Sequence, residues 1–237
     1  MKTYQIHLIR HGLTDGNLKG RYIGSTDCPL ASQGIAELKK MAGTYEYPRA
    51  EMYYSSPLLR CIQTMNILYP GEDFYEVPGL REVDFGQWEG KTARELSGDK
   101  VFQEWLQAGG QAAPPGGESN GEFASRVCAS FENIVENMMK TGIRSSVIVS
   151  HGGVIMTLLT AYGLPRANFY DWLVGNGRGY SLRITPSLWM SGKVAEVYET
   201  IPPKAEPVID GDQKMIIELG REAADRAYRK DEKGKNN

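Results

Sequence analysis

The sequence predicts a three-layer α/β/α sandwich with a mostly parallel central sheet and a small lid region. Short apolar runs rich in β-branched residues alternate with segments of helical periodicity along most of the chain. Such alternation is typical of a parallel sheet that is covered by helices on both faces. The chain of 237 residues is also long enough to bury the core that this fold requires.

The first half of the chain supplies two predicted strand–helix pairs. Thr3–Ile9 predicts a strand, and Ser32–Ala42 has apolar residues at helical spacing. The run "EMYYSS" (51–56) predicts a second strand, which leads directly into a second helix. Ser56 is the predicted N-cap of that helix and Pro57 its first residue, because serine and proline favour those positions.

The second half begins with an irregular stretch and then returns to the alternating pattern. Two segments, Thr92–Glu95 and Ser119–Glu122, fit the capping box that opens a helix, and a long amphipathic helix follows the second of them. "SSVIVSHGG" (145–153) predicts a buried strand. The remaining predicted elements are a helix ended by Gly163 and two strands, "GYSLRIT" (179–185) and "VAEVYET" (194–200).

A change of composition after residue 203 divides the chain. Residues 1–203 are predicted to form one domain, in which a lid region extends over about residues 86–118. Residues 204–237 form a predicted extension, with an amphipathic helix at Asp212–Arg229 and a charged end. The sequence allows two interpretations of this helix. It is either a surface helix with a frayed tail, or a helix that binds a partner or forms an oligomer.

Composition excludes several function classes. The net charge of −2 gives no reason to expect nucleic acid or an anionic membrane as partner, and no apolar run approaches the length of a membrane span. The N-terminal apolar run is too short for a signal peptide. The three cysteines are far apart and odd in number, which favours packing roles in a reducing compartment. We therefore expect a cytoplasmic protein.

The most informative residues stand where predicted strands end. The first strand ends in Arg10-His11-Gly12 and a later one in Ser150-His151-Gly152-Gly153, while Arg60 lies in the first turn of the helix that follows the second strand. In open α/β sheets, ligands bind beyond the carboxyl ends of the strands. Two arginines, two imidazoles and a helix N-terminus predict a pocket for a compact dianion, of which phosphate is the obvious example.

A phosphoryl site also needs a group that protonates the leaving oxygen. "GLREVDFGQWEG" (79–90) contains three acids, of which Glu82 is the candidate, whereas Asp84 and Glu89 are interpreted as solvated loop residues. Metal binding is the competing account, since Glu82, Asp84 and the two histidines could in principle ligate an ion. No HExxH, GxGxxG or P-loop pattern is present.

These residues resemble the histidine phosphatase superfamily, also called phosphoglycerate mutase-like. The resemblance rests on four ordered motifs, over about residues 3–200: "LIRHGLTDGN", "SSPLLRCIQT", "LREVDFGQWEG" and "VSHGG". It implies that His11 is the nucleophile that takes up the phosphoryl group. It also implies that Arg10, Arg60 and His151 bind the phosphate oxygens, with supporting contacts from Asn17 and Gly152. Glu82 corresponds to the family's proton donor.

Departures from the family pattern favour a hydrolase. The mutases carry an arginine directly after the catalytic glutamate, where this chain has Val83, and Ile23 replaces a residue that is often polar in the family. The stretches "DFGQWEG" and "GRYIGSTDCPL" are closer to broad-specificity and α-ribazole phosphatases. The resemblance thus implies a metal-independent phosphomonoesterase that uses no cofactor and acts on a small phosphorylated substrate. The alternatives are a mutase and a non-catalytic scaffold, and a monomer and a homodimer are both open.

Overall fold

The structure, a computed structural model, describes residues 2–107 and 112–203. These residues form two compact units. The sheet unit contains residues 2–15, 27–82 and 124–203, and the small unit contains residues 16–26, 83–107 and 112–123. The predicted helix at Asp212–Arg229 lies outside the described residues. The predicted lid, about residues 86–118, falls within the range of the small unit, and its role as a lid stays a prediction.

Within the described residues, seven strands form one sheet. In chain order they are β1 (Tyr4–Arg10), β2 (Met52–Ser55), β3 (Tyr75–Glu76), β4 (Ser145–Ser150), β5 (Gly163–Leu164), β6 (Gly179–Ile184) and β7 (Ala195–Ile201). Their order across the sheet is β3-β2-β4-β1-β6-β7-β5. Only β6 runs against its neighbours among the described strands, so the prediction of a mostly parallel sheet is confirmed.

Helices connect the strands. In chain order they are α1 (Asp15–Leu18), α2 (Ser32–Thr44), α3 (Leu59–Leu68), α4 (Ala93–Leu96), α5 (Lys100–Gln107), α6 (Asn120–Thr141), α7 (Gly152–Tyr162) and α8 (Pro186–Gly192). Short 3-10 helices lie at Pro78–Leu80, Gly86–Trp88 and Phe169–Trp172. In the part of the chain that the structure describes, no helix combines the length and apolar character needed to cross a membrane.

The sheet is covered on both faces, as the sequence predicts for a three-layer sandwich. Side chains alternate between faces along a strand. Val147 and Val149 of β4 therefore pack with Leu38 of α2 and Met65 of α3 in one apolar core. Ser146, beside Val147, points to the other face, where its hydroxyl contacts Met138 of α6 at 3.4 Å.

Most predicted elements are present within a residue or two of their expected bounds. Both capping boxes form, and α7 ends at Gly163 as expected. The predicted start of α3 is wrong: this helix begins at Leu59, two residues after Pro57. Leu58 takes the N-cap position instead, and the Ser56 hydroxyl makes its short contact with His151 Nε2, at 2.8 Å, rather than with the first turn of this helix. The two-residue strands β3 and β5 and the helices α1, α5 and α8 were not predicted; a strand of two residues is too short to show an alternating pattern.

The small unit is built around an aromatic cluster. Trp88 and Phe102 are 1% and 2% exposed, and their rings meet edge to face at 5.1 Å. Their burial shows that these two side chains form a core of their own. Glu89, interpreted from sequence as a solvated acid, instead accepts hydrogen bonds from the backbone N–H groups of Gly24, Ser25, Thr26 and Phe85 at 3.0–3.3 Å.

Candidate active site

The two predicted catalytic histidines lie together in the sheet unit. Strands β1 and β4 are parallel neighbours, and Arg10 pairs with Ser150 at their carboxyl ends. His11 and His151 follow directly, so their ring centroids are only 5.2 Å apart. Both side chains are buried, at 5% and 0% exposed. The expectation that residues at the carboxyl ends of neighbouring parallel strands lie close together is therefore confirmed for His11 and His151.

One ring nitrogen of His11 has a fixed role. Nδ1 lies 2.7 Å from the carbonyl oxygen of Gly12. A carbonyl can only accept, so Nδ1 must carry the proton and donate it. In the neutral ring, Nε2 then holds a lone pair. The geometry therefore provides a nucleophilic nitrogen whose tautomer is set by the chain itself.

The backbone around His11 is held by a loop that the sequence did not mark. Arg10 donates from Nη1 to the Val174 carbonyl at 2.7 Å. The amide of Asn176 donates to the carbonyls of His11 and Gly12, at 3.0 and 3.3 Å. These bonds join positions about 165 residues apart in the chain. The loop fixes both the arginine and the histidine, and no sequence motif points to it.

His151 is held by a different kind of partner. Its Nε2 lies 2.8 Å from the Ser56 hydroxyl, and it stands at the N-cap position of α7. The same hydroxyl accepts a long hydrogen bond from the Leu58 N–H, at 3.4 Å. A hydroxyl can donate or accept, so this contact permits either tautomer of His151. Ser56 is thus a site residue, although the sequence indicated it only as a helix cap.

Arg60 reaches the site from the first turn of α3, as predicted, and is 1% exposed. The prediction that the start of α3 would itself attract an external anion is not supported. Asp27 accepts a hydrogen bond from the Leu59 N–H at 2.7 Å, so an internal carboxylate already lies at this helix N-terminus. Arg60 brings its charge to the site from α3, and Thr64 of the same helix accepts a hydrogen bond from the Gly12 N–H at 2.9 Å.

Electrostatics keep both histidines neutral. Burial lowers the pKa of His11 well below its usual value, and the charges of Arg60 and Arg10 lower it further. The pKa of His151 is lowered in the same way, first by burial and then by Arg60, His11 and Arg10. Cations near an imidazole disfavour its protonated form. The same cations would attract a dianion placed between the rings.

Glu82 lies in the same unit, and its carboxylate contacts the beginning of α7. Oε2 accepts a hydrogen bond from the Gly153 N–H at 2.9 Å. Its backbone carbonyl accepts from Arg126 of α6 at 3.3 Å. The structure therefore brings the predicted proton donor to the element that starts directly after His151.

The two glycines after His151 make room for two different site residues. A β-carbon at Gly152 would lie 3.3 Å from Arg10 Nε, and one at Gly153 would lie 2.5 Å from Glu82 Oε1. Because Gly152 has no side chain, the Arg10 guanidinium can lie against its backbone. In the same way, the Glu82 carboxylate can reach the N–H of Gly153. The predicted close approach is present, but the groups that approach belong to the protein.

Asn17 lies in α1, within the range of the small unit, and its carbonyl accepts from the Gly20 N–H at 3.2 Å. Its predicted contact with phosphate stays a prediction. For the competing metal account, residues 2–107 and 112–203 contain no group of three or more His, Cys, Asp or Glu side chains that could hold an ion. All three cysteines are free, and Cys61 lies in the core with 0% exposed.

Comparison with known proteins agrees with this geometry. Residues 6–196 match the family described as the histidine phosphatase superfamily, branch 1. The chain therefore belongs to this superfamily, as its motifs predicted, and the expected phosphatase-class enzyme is confirmed at that level.

Relatives with different names resemble the chain about equally. An adenosylcobalamin/α-ribazole phosphatase of Salmonella typhimurium is 27% identical over 73% of this chain and 87% of its own length. A 2,3-bisphosphoglycerate-dependent phosphoglycerate mutase of Rhizobium etli is 30% identical over 70% of this chain and 82% of its own. The solved α-ribazole phosphatase of Shigella flexneri superposes with a TM-score of 0.70 at 25% identity, over 87% of this chain and 100% of that one. Sequence similarity alone therefore does not distinguish phosphatase from mutase activity.

Proposed function

We propose that this protein is a metal-independent phosphomonoesterase that hydrolyses a small phosphorylated metabolite through a phosphohistidine on His11. The observation that carries this proposal is the fixed tautomer of His11. Its Nδ1 is committed to the Gly12 carbonyl, so Nε2 holds a lone pair beside two arginines. A nucleophile and the cations that would hold its target thus occur at one strand end.

The first step transfers the phosphoryl group to the enzyme. Nε2 of His11 attacks phosphorus, the N–P bond forms, and the bond from phosphorus to the ester oxygen breaks. Glu82 gives its proton to the departing oxygen, which leaves as an alcohol. Arg10, Arg60 and His151 bind the three non-bridging oxygens and stabilise the charge that they carry in the transition state.

The second step returns the enzyme to its starting form. A water molecule attacks the phosphorus of the phosphohistidine, and the Glu82 carboxylate takes up a proton from that water. The N–P bond breaks, its electrons return to Nε2, and inorganic phosphate is released. Phosphoryl transfer depends chiefly on positioning and electrostatics, so buried arginines fixed by the fold suit this chemistry.

A mutase is the second candidate, and its support is the Rhizobium etli relative named above. The two activities share the first step and differ only in what attacks the phosphohistidine: water in a hydrolase, the hydroxyl of a second substrate in a mutase. Val83, which stands where the mutases carry an arginine, favours water as the acceptor.

The test measures inorganic phosphate released from a panel of phosphomonoesters in the presence of EDTA. The panel contains 3-phosphoglycerate, sugar phosphates, nucleotides, phosphoserine and α-ribazole phosphate. We expect release by the wild type on at least one ester and none above background by His11→Ala. His7→Gln is the matched control, because His7 lies in β1, the strand that leads to His11, and its ring contacts Ser181 on the neighbouring strand β6.

Each outcome decides something. Release that survives EDTA and disappears in His11→Ala supports the phosphohistidine hydrolase, and the best ester narrows the substrate. Isomerised phosphate ester without free phosphate indicates the mutase. Loss of release in EDTA contradicts the metal-independent mechanism. No turnover of any kind, with normal folding, favours the scaffold that the sequence left open.

The expectations about partners and location are tested separately. We expect a cytoplasmic monomer or homodimer, and cell fractionation and light scattering measure these two properties. Removal of residues 204–237 tests a role for the C-terminal segment in assembly. Unchanged oligomeric state after this deletion would contradict such a role.

A further inference from the structure

The backbone that carries Glu82 is held by a side chain from a distant element. Arg126 of α6 donates from Nη1 to the carbonyls of Gly79 and Arg81, at 3.0 and 2.8 Å, and from Nη2 to the carbonyl of Glu82, at 3.3 Å. The remaining carbonyl of this segment, that of Leu80, accepts from the Ser150 hydroxyl at 2.8 Å. Four consecutive carbonyls are thus bound by side chains.

Such a set of contacts requires an arginine. Beyond the short 3-10 helix that ends at Leu80 this segment has no regular structure, and its carbonyls accept hydrogen bonds from side chains. A guanidinium offers five N–H donors in one rigid plane and can serve several carbonyls at once, whereas a lysine ammonium is a single point of attachment. The half-buried Arg126 uses this geometry on three of the four carbonyls.

The other end of Glu82 is fixed independently. Its carboxylate accepts from the Gly153 N–H, and the absence of a β-carbon at Gly153 leaves the space that the carboxylate occupies. Backbone and carboxylate are therefore anchored to different helices, α6 and α7. A general acid must lie within hydrogen-bond reach of the oxygen that it protonates, so a small displacement of either anchor reduces its effect.

We infer that Arg126 is a positioning residue for proton transfer: its guanidinium holds the Glu82 backbone so that the carboxyl group reaches the leaving-group oxygen. The inference rests on the proposed function, because it assigns Arg126 to the proton donor of that reaction. Three hydrogen bonds join the guanidinium to backbone carbonyls of residues 79–82. These hydrogen bonds act on the reaction through Glu82, whereas the positive charge of Arg126, which also lowers the pKa of His151, is retained in Arg126→Lys.

Leaving-group dependence distinguishes this role from a general structural one. p-Nitrophenolate leaves without being protonated, whereas an alkoxide requires a proton from the general acid. We therefore measure kcat/KM of purified full-length variants on p-nitrophenyl phosphate and on the best alkyl phosphomonoester. Arg126→Met is expected to lose about 10–100-fold on the alkyl ester, the range typical of residues that orient a catalytic group. The loss on p-nitrophenyl phosphate is expected to stay within about 3-fold, as departure of this leaving group does not use the acid.

Companion variants test geometry against charge. Arg126→Lys keeps the charge but not the fork, and it is expected to behave like Arg126→Met. Lys140→Met is the matched control, since Lys140 is an exposed cation near the other end of α6. Ser150→Ala removes the hydrogen bond to Leu80 and is expected to give the same pattern to a smaller degree, which provides a second test if Arg126→Met fails to fold.

The double variant Glu82→Gln/Arg126→Met gives the sharpest result. If Arg126 acts through Glu82, this variant is no slower on the alkyl ester than Glu82→Gln alone. Equal losses on both esters, full recovery in Arg126→Lys, or multiplied losses in the double variant would each overturn the inference. A wild type that hydrolyses neither ester in a His11-dependent manner would instead refute the proposed function, so the two failures are distinguishable.

Discussion

The ends of β1 and β4 lie side by side and are followed by the same pair of residues, a histidine and then a glycine, yet they hold their histidines in different ways. His11 is bound by the carbonyl of the next residue in its own chain, at 2.7 Å from Nδ1. His151 is bound by a hydroxyl from a distant segment, Ser56, at 2.8 Å from Nε2. Position in the sheet is shared, but the hydrogen-bond partner of the ring is not.

This difference separates two chemical roles. A carbonyl accepts only, so His11 has one neutral tautomer and a permanent lone pair on Nε2. A hydroxyl accepts or donates, so His151 can place a proton on either nitrogen and present an N–H to a ligand. The first arrangement suits a nucleophile and the second suits a hydrogen-bond donor to phosphate oxygens.

His7 provides a reference for both. It is buried in the middle of β1, contacts Ser181 at 2.9 Å, and has its pKa lowered to about 4 by burial. For His11 and His151, the charges of Arg60 and Arg10 act in addition to burial. A lowered pKa therefore does not by itself mark a site in this protein. The cations beside the ring do.

The largest expected effect separates the two site histidines. His11→Gln is expected to form no phosphoenzyme and to lose about 10⁴-fold or more in kcat, as variants without their nucleophile do. His151→Gln is expected to lose about 10²–10³-fold, the loss typical of removing one donor to transition-state charge. It should still form the phosphoenzyme, because Nε2 of His11 is untouched. Reaction with a turned-over ester, quenched in base, followed by mass spectrometry of the intact protein, measures this intermediate.

The contrast between the two variants is the test. A phosphoenzyme in His11→Gln, or none in His151→Gln at long reaction times, would reverse the assignment of roles. Glutamine approximates the reach of histidine, and circular dichroism of both variants checks that the fold is retained.

Much of this site could be predicted from sequence because its residues follow a general rule. Parallel strands bring their carboxyl ends to one edge, so the positions of Arg10, His11 and His151 along the chain were enough to place them together. The alternation of strands and helices similarly predicted the layers of the fold. Both are regular patterns that repeat along the chain.

The contacts that hold the site could not be predicted. Asn176 bonds to His11, and Asp27 occupies the start of α3, through hydrogen bonds between a side chain and the backbone of a distant segment. Such bonds leave no periodic trace, and an asparagine or aspartate in a loop has the composition of any surface turn. Glu89 was misinterpreted for the same reason, since four backbone N–H groups converge on it only after folding.

The second prediction concerns stability and uses His7. Its pKa is near 6.5 in the unfolded chain and about 4 in the folded protein. Between these values the unfolded chain binds the extra proton, so the free energy of unfolding decreases as pH falls through 6.5. From pH 7 to pH 5 this linkage costs about 2 kcal/mol, which His7→Gln is expected to remove. Urea unfolding at the two pH values measures it.

His11 and His151 contribute in the same direction, so the His7→Gln curve should be flatter than that of the wild type but not flat. An unchanged pH dependence would mean that His7 is protonated in the folded protein. In that case His7 could no longer serve as an example of a histidine whose pKa is lowered by burial alone.

The smallest expected effect tests the hydroxyl that holds His151. Ser56→Ala should reduce kcat/KM about 10-fold, the lower end for residues that orient a catalytic group. Ser55→Ala is the matched control, since its buried hydroxyl bonds to the Ser56 carbonyl at 2.8 Å and is expected to matter little to activity.

The two serine variants also distinguish orientation from packing. If Ser56 orients His151, its loss slows phosphorylation of His11 but leaves the acid stability set by His7 unchanged. Equal losses in Ser55→Ala and Ser56→Ala would show that the hydroxyls serve only to pack the end of β2. In that case His151 would be held by its N-cap position in α7, and the difference between the two strand ends would lie in His11 alone.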